Sequence, residues 1–181
     1  MTHVTKKAPL ILTLALDQEM QGRLEAERRR FFPVARNRVP AHLTLFHHLP
    51  GEHLETIQGQ VAALCAAHDQ PVLRATRPLL LGRGVAYAFA APDLSALHAH
   101  LAATWWEELT AQDQQPFRPH VTVQNKVTPE EARALYEALR AAFSPFEARG
   151  EGLTLWWYRG GPWEKAAQYS FQRARPGPGA R

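Results

Sequence analysis

Two short segments repeat one pattern, and nothing else narrows the possible folds of this chain as much. Pro40-Ala41-His42-Leu43-Thr44-Leu45 and Pro119-His120-Val121-Thr122-Val123 each start an alternation of polar and apolar residues at a histidine just after a proline. Alternation with a period of two is a strand signal, and side chains two apart on a strand point the same way. Each segment therefore presents an imidazole and a hydroxyl side by side, with apolar residues anchoring the reverse face. The copies lie nearly half the chain apart. A helical pattern follows each one: Leu54, Ile57, Val61, Leu64 and Cys65 after the first, and Leu135, Leu139 and Phe143 after the second. The fold must hold two like strand–helix units. A third copy, His3-Val4-Thr5, runs straight into Lys6-Lys7 with no apolar residue after the threonine, and reads as tail.

The rest of the chain fills in around these units. Leu10 to Leu16 reads as a buried strand. Asp17 caps a helix to about Arg30, with Met20 and Leu24 inward. The Arg28-Arg29-Arg30 run reads as a solvated helix end that suits the helix dipole. Between Pro40 and Pro50, alternation puts His42, Thr44 and Phe46 on one face and Leu43, Leu45 and His47 on the other. Val72 to Thr76, Leu79 to Leu81 and Val85 to Ala90 read as short strands, the last two a hairpin about Gly82-Arg83-Gly84. Asp93 precedes a helix with Leu94, Leu97, Leu101 and Trp105 on one side. Gln112 to Pro116 is a polar loop. Thr128-Pro129-Glu130-Glu131 is a helix start with a threonine cap, proline at the first position and glutamate three residues after the cap. Phe146 to Tyr158 and Ala166 to Phe171 read as the final strands, joined across Gly160-Gly161-Pro162. Strands and helices are mixed, with hairpins among the strands, which is the order of an α+β fold. A single domain is expected over 1–173. The Pro- and Gly-rich residues 174–181 read as a disordered tail.

Composition excludes some classes. A hydrophobic share of 45% over 181 residues is enough to build a core, so a wholly disordered chain is excluded. The single cysteine, Cys65, rules out intramolecular disulfides and Cys-rich zinc motifs, and its helical spacing reads as core. The apolar run Pro9 to Leu16 is too short to span a membrane and has no small-residue cleavage site. A cytoplasmic monomer with no membrane partner is expected. The net charge of +4 favours anionic partners such as nucleotides or RNA.

Two imidazoles and two hydroxyls facing one another suit a phosphodiester. A neutral histidine can take a proton from the attacking oxygen, and a protonated one can give a proton to the leaving oxygen. Threonine hydroxyls can bond the non-bridging oxygens, where charge must be held. His42, Thr44, His120 and Thr122 are the candidate catalytic residues, and neither metal nor cofactor is expected. His48 shares the His42 face by alternation, but no Cys or acidic cluster at ligand spacing joins it, so a metal centre is disfavoured. His98 and His100, two apart on a helix, lie about 200° apart around its axis and cannot share a ligand.

Four more residues are candidates for substrate binding. Arg118 can pair with a phosphate. Gln124 lies on the His120 and Thr122 face. Tyr87 can stack on a base, with core packing as its competing role. Trp156 and Trp157 must point to opposite faces of a strand, so one belongs to the core. Trp163, beside the Gly-Gly-Pro turn, is the candidate aromatic at a cleft rim.

From Leu10 to about Phe171 the chain resembles the 2H phosphoesterases, and within them the bacterial 2′-5′ RNA ligase-like proteins. The markers are Ala15-Leu16-Asp17, the two histidine segments with Phe117-Arg118 before the second, and Tyr158-Arg159-Gly160-Gly161-Pro162-Trp163. The resemblance implies a pseudo-symmetric, two-lobed α+β fold, each lobe an antiparallel sheet with outer helices and one motif strand at a central cleft. It implies action on 2′,3′-cyclic phosphates or 2′-5′ linkages of RNA or nucleotides, with His42, Thr44, His120 and Thr122 carrying the site. The chain departs from the family pattern at Phe46, where many relatives have lysine, and at Asn125, where many have arginine. The competing class is an RNA- or nucleotide-binding protein that has kept the cleft and lost turnover.

Overall fold

The computed structural model describes residues 7–173. His3-Val4-Thr5 and the expected tail over 174–181 lie outside the described residues. In chain order the elements are β1 (Leu10–Leu16), α1 (Gln18–Phe31), β2 (Leu43–Leu49), α2 (Leu54–Ala67), β3 (Val72–Leu80), β4 (Val85–Ala90), α3 (Pro92–Trp105), β5 (His120–Gln124), α4 (Pro129–Ala142), β6 (Phe146–Trp157) and β7 (Glu164–Ser170). The helix starts form as their caps dictate. The Asp17 carboxylate accepts from the Met20 amide at 2.9 Å and, with its other oxygen, from the Arg149 amide at 2.7 Å, which ties α1 to β6. Thr128 and Glu131 form the expected capping box, with proline at the first turn of α4.

The strands form one antiparallel sheet in the order β2-β1-β6-β3-β4-β5, with β7 also on β6. The twelve residues of β6 carry both halves. Its Gly150–Trp157 stretch pairs with β1 on one edge, and Gly152–Trp157 pairs with β7 on the other. Phe146–Arg149 pairs with Val72–Ala75 of β3. The lobes are thus β2-β1-β6-β7 and β6-β3-β4-β5, sharing one strand. At the changeover sit Gly150 and Gly152. A Cβ on Gly150 would lie 2.7 Å from the Leu14 side chain and 2.9 Å from Pro71, and one on Gly152 would strike the Tyr169 carbonyl. At Gly152 the neighbouring backbone leaves no room for a side chain, and at Gly150 the Leu14 and Pro71 side chains would have to shift to admit one.

Each lobe is covered by helices on one face. In the first, Phe46 of β2 stacks on His98 of α3 and meets the edge of Trp105, whose indole donates to Gln60 of α2 at 2.7 Å. In the second, Tyr87 of β4 packs on Phe143 and Phe146, and Arg23 of α1 lies 3.8 Å over the Phe146 ring. Leu10, Leu12, Leu43, Leu73, Val121 and Leu155, from five strands, are fully buried in one continuous core. Cys65 joins it, and burial pushes its thiol up to about 11.

Three local expectations need correction. Val72 to Leu81 holds one strand, not two. Pro78 sits past the end of the β6 pairing, with β4 beside it and, among the described residues, no strand on its other side, so its missing N–H breaks no ladder there. Phe46 does not share a face with His42 and Thr44. The register with β1 slips between Thr13↔Thr44 and Leu12↔Phe46, a bulge that turns both Leu45 and Phe46 into the core. Arg28 is not a solvated helix end: it is 2% exposed, and its guanidinium bonds the backbone on both sides of the cleft.

Candidate active site

The two histidine segments form β2 with the residues leading into it, and β5. These are the two ends of the sheet path, and the curl of the sheet brings them into contact. His42, Thr44, His120 and Thr122 are all half-buried, with buried residues between them along each strand. Each imidazole is held in the same way. His42 Nδ1 lies 2.7 Å from the Pro40 carbonyl, and His120 Nδ1 lies 2.8 Å from the Arg118 carbonyl. A carbonyl only accepts, so Nδ1 must carry the proton in both rings. Nε2 is then the free nitrogen of each, as an acceptor when the ring is neutral and a donor when it is protonated.

The surroundings act on His42. Burial is the largest effect and lowers its pKa. The Pro40 bond opposes this, while Arg28, His120 and His47 add to the lowering, and the ring falls from 6.5 to about 4. His42 is therefore neutral near pH 7.

Cavities flank the histidines. One, of about 280 Å³, opens beside His42 and is lined by Thr13, Thr154, Trp156, Trp163, Lys165 and Gln168 among others. Cross-strand register explains this lining: Thr44↔Thr13, Thr13↔Thr154 and Thr154↔Gln168 set a row of polar side chains across four strands. Trp156 donates to the Thr13 hydroxyl at 2.8 Å. The Trp163 ring lies 4.6 Å from that of His42. A second cavity, of about 220 Å³, is lined by Thr44, His120, Arg118, Gln115, His47 and Asp113 among others.

Of the other candidates from sequence, Trp163 and Arg118 each border one of these cavities. Trp157 packs on the core while Trp156 faces the first cavity. Two candidates are not brought to either cavity. Tyr87 pairs with Val121, not His120, so it falls on the core face and is 4% exposed. Gln124 follows a bulge that sets it against Val85. It is 7% exposed, and its Oε1 has no hydrogen-bond partner among the described residues.

Sequence reasoning missed the pocket row and Asp113. A lone threonine in the apolar run Leu10–Leu16 was the available signal for Thr13, and its i, i+2 spacing from Trp156 the signal for Thr154. Asp113 gave no signal, since it stands in a polar loop. Its carboxylate is buried and accepts from the amides of His47 and His48 and from His47 Nδ1, at 2.9 to 3.0 Å. It pins the loop that walls the second cavity onto β2. Burial alone would raise its pKa, but the bonds from His47 and His48 outweigh this and lower it. Asp113→Ala is expected to cost about 2–4 kcal/mol in urea denaturation, because it removes the buried acceptor of the His47 and His48 amides. The folded-state pKa lies below the unfolded one, so the carboxylate's contribution is complete above ~pH 4 and is lost as pH falls through the folded value. The stability gap between wild type and Asp113→Asn should narrow correspondingly in acid.

His98 lies flat between Phe46 and Phe117, with ring centroids 4.5 and 4.1 Å away, and burial lowers its pKa. Its ring is part of the packing. Among the described residues no group of three or more His, Cys, Asp or Glu is set to hold a metal ion, and no helix is long and apolar enough to cross a membrane.

The sequence matches the family model of the 2′-5′ RNA ligase superfamily over residues 16–162. The chain belongs to that superfamily, the 2H phosphoesterases, which supports a phosphodiesterase-type activity. Its fold is similar to that of TT0787 of Thermus thermophilus, with TM-score 0.65 and 21% identity, over 92% of this chain and 100% of that one. It is also similar to E. coli LigT complexed with NADP+ (TM-score 0.57, 17% identity, 93% of this chain and 100% of that one). A third similar structure is E. coli LigT complexed with 3′-AMP (TM-score 0.57, 19% identity, 92% and 99%). A comparison with curated protein sequences found no match.

Proposed function

We propose that the protein is a phosphodiesterase that opens 2′,3′-cyclic phosphates, or cleaves or joins 2′-5′ linkages, at the ends of RNA or on nucleotides. His42 and His120 are its base and acid. The observation that carries this reading is the matched anchoring of the two rings, which leaves both Nε2 atoms free for proton transfer. In hydrolysis, water attacks phosphorus as neutral His42 takes its proton at Nε2. The bond from phosphorus to one ribose oxygen breaks, and protonated His120 gives that oxygen its proton from Nε2. His42 suits the base role because its surroundings hold it neutral. The Thr44 and Thr122 hydroxyls donate to the non-bridging oxygens. In the joining direction the roles reverse.

The cavity beside His42 suits a nucleoside, with Trp156 and Trp163 as stacking faces and Thr154, Lys165 and Gln168 as polar partners. The E. coli LigT complexes with NADP+ and 3′-AMP agree with a nucleotide ligand. Arg118 on the other side is the candidate phosphate partner.

The test is turnover of a nucleoside 2′,3′-cyclic phosphate in the presence of EDTA, followed across pH. Turnover is expected to persist. Base catalysis needs neutral His42, so the acidic limb of kcat/KM should fall as pH drops through about 4. An acidic limb centred near 6.5 would take the base role from His42. Binding of the nucleotide without its consumption would move the chain to the binding class.

A further inference from the structure

The sheet leaves one mechanical problem unsolved. β2 and β5 stand at opposite ends of the strand path and share no ladder, so sheet hydrogen bonds alone do not fix the spacing of the two imidazoles. One side chain spans the gap. Arg28 Nη1 donates to the Thr122 carbonyl of β5 at 2.8 Å, and Nη2 donates to the Val39 carbonyl, three residues before His42, at 3.1 Å. Nε donates to Asn37 Oδ1 at 3.2 Å, and the Phe32 ring covers the guanidinium at 4.3 Å. All three acceptors are neutral. The nearby carboxylate Glu25 is turned to the Ala41 amide and to Gln21. A buried guanidinium with no carboxylate bonded to it is costly, and an apolar side chain would fill the space more cheaply. A planar fork with donors in fixed directions does what an apolar group cannot: it holds a carbonyl of β5 and one of the segment leading into β2 at one separation.

We propose that Arg28 is the positioning residue of this site, fastening β5 and the segment that leads to His42 at one spacing and keeping a buried positive charge near the His42 imidazole. This rests on the reading of His42 and His120 as base and acid. Arg28 touches neither reacting atom. It acts through the Thr122 backbone, through the segment that leads to His42, and through its charge.

The test uses the full chain with Arg28→Lys and Arg28→Met, each checked for a native amide NMR fingerprint. Two readouts are taken: kcat and KM on a nucleoside 2′,3′-cyclic phosphate, and the titration of the His42 ring by 15N NMR without substrate. The other charged or titratable groups around His42 are Glu25 of α1, His47 of β2, His120 of β5, Glu151 of β6 and Lys165 of β7. All are unchanged in both variants. Lysine keeps the charge but cannot bridge both carbonyls. Arg28→Lys should therefore lose about 10- to 100-fold in kcat, with little change in KM and His42 titrating as in wild type. Arg28→Met should lose as much kcat and move the His42 titration upward. Wild-type kcat in Arg28→Lys together with an unmoved His42 in Arg28→Met would overturn the proposal. If Arg28→Met does not fold, the kcat of Arg28→Lys decides alone. If the wild type does not turn over the cyclic phosphate, the functional reading fails, and the His42 titration in Arg28→Met still decides: an upward shift upholds the proposal and none overturns it.

Discussion

Alanine at His42 or at His120 is expected to lower kcat on a nucleoside 2′,3′-cyclic phosphate by about 10²–10⁴-fold, the usual worth of a positioned acid or base. The two losses should not add. If the rings act in one concerted proton relay, the double variant should be little slower than the worse single one. Stability should barely move. Each ring is half-buried, and its hydrogen bond within the protein is to a carbonyl two residues back. This separates chemistry from folding: lost activity with an unchanged melting curve is the expected pair of results. A variant of either histidine that keeps more than about a third of wild-type kcat would remove that ring from the mechanism.

The largest effect on stability is expected at Phe46. Its side chain is fully buried, stacked on His98 with a 7° tilt and set against the edge of Trp105 at 5.2 Å. Phe46→Ala should cost about 3–5 kcal/mol, read as a lower urea midpoint with little change in slope. The lost area and the cavity both contribute, and neighbours already packed flat on one another have little room to close in. Phe46→Lys should cost more still, because the bulge aims position 46 into the core. A stable, more active Phe46→Lys protein would mean that position 46 faces the cleft instead.

These two positions also mark how far the sequence could be read. Period-two alternation was enough to find both motif strands, because it predicts faces wherever a ladder is regular. It failed at Phe46 and Gln124, and it assigned no face to Tyr87. At the first two a bulge shifts the register. At Tyr87 the register with a strand far along the chain decides the face, and one chain's local pattern does not contain that pairing. Helix starts were legible because Asp17 and Thr128 cap through atoms within three residues. Arg28 was not. A basic run at a helix end is usually solvated, and only the distant Thr122 carbonyl shows why this one is buried. Asp113 was hidden for the same reason: its donors, His47 and His48, come from a strand far earlier in the chain.

The shared strand β6 has a consequence for how the cleft works. Two lobes joined by a linker can swing like jaws. Here the joint is a continuous hydrogen-bonded strand, flanked by β1 on one edge and by β7 and β3 end to end on the other, with Gly150 and Gly152 wedged against their neighbours. Opening the cleft would mean bending that ladder or breaking it. Sheet curvature is thus a coarse gauge for the cleft, fixed when the chain folds, and the Arg28 bridge is left only the fine spacing of the two imidazoles.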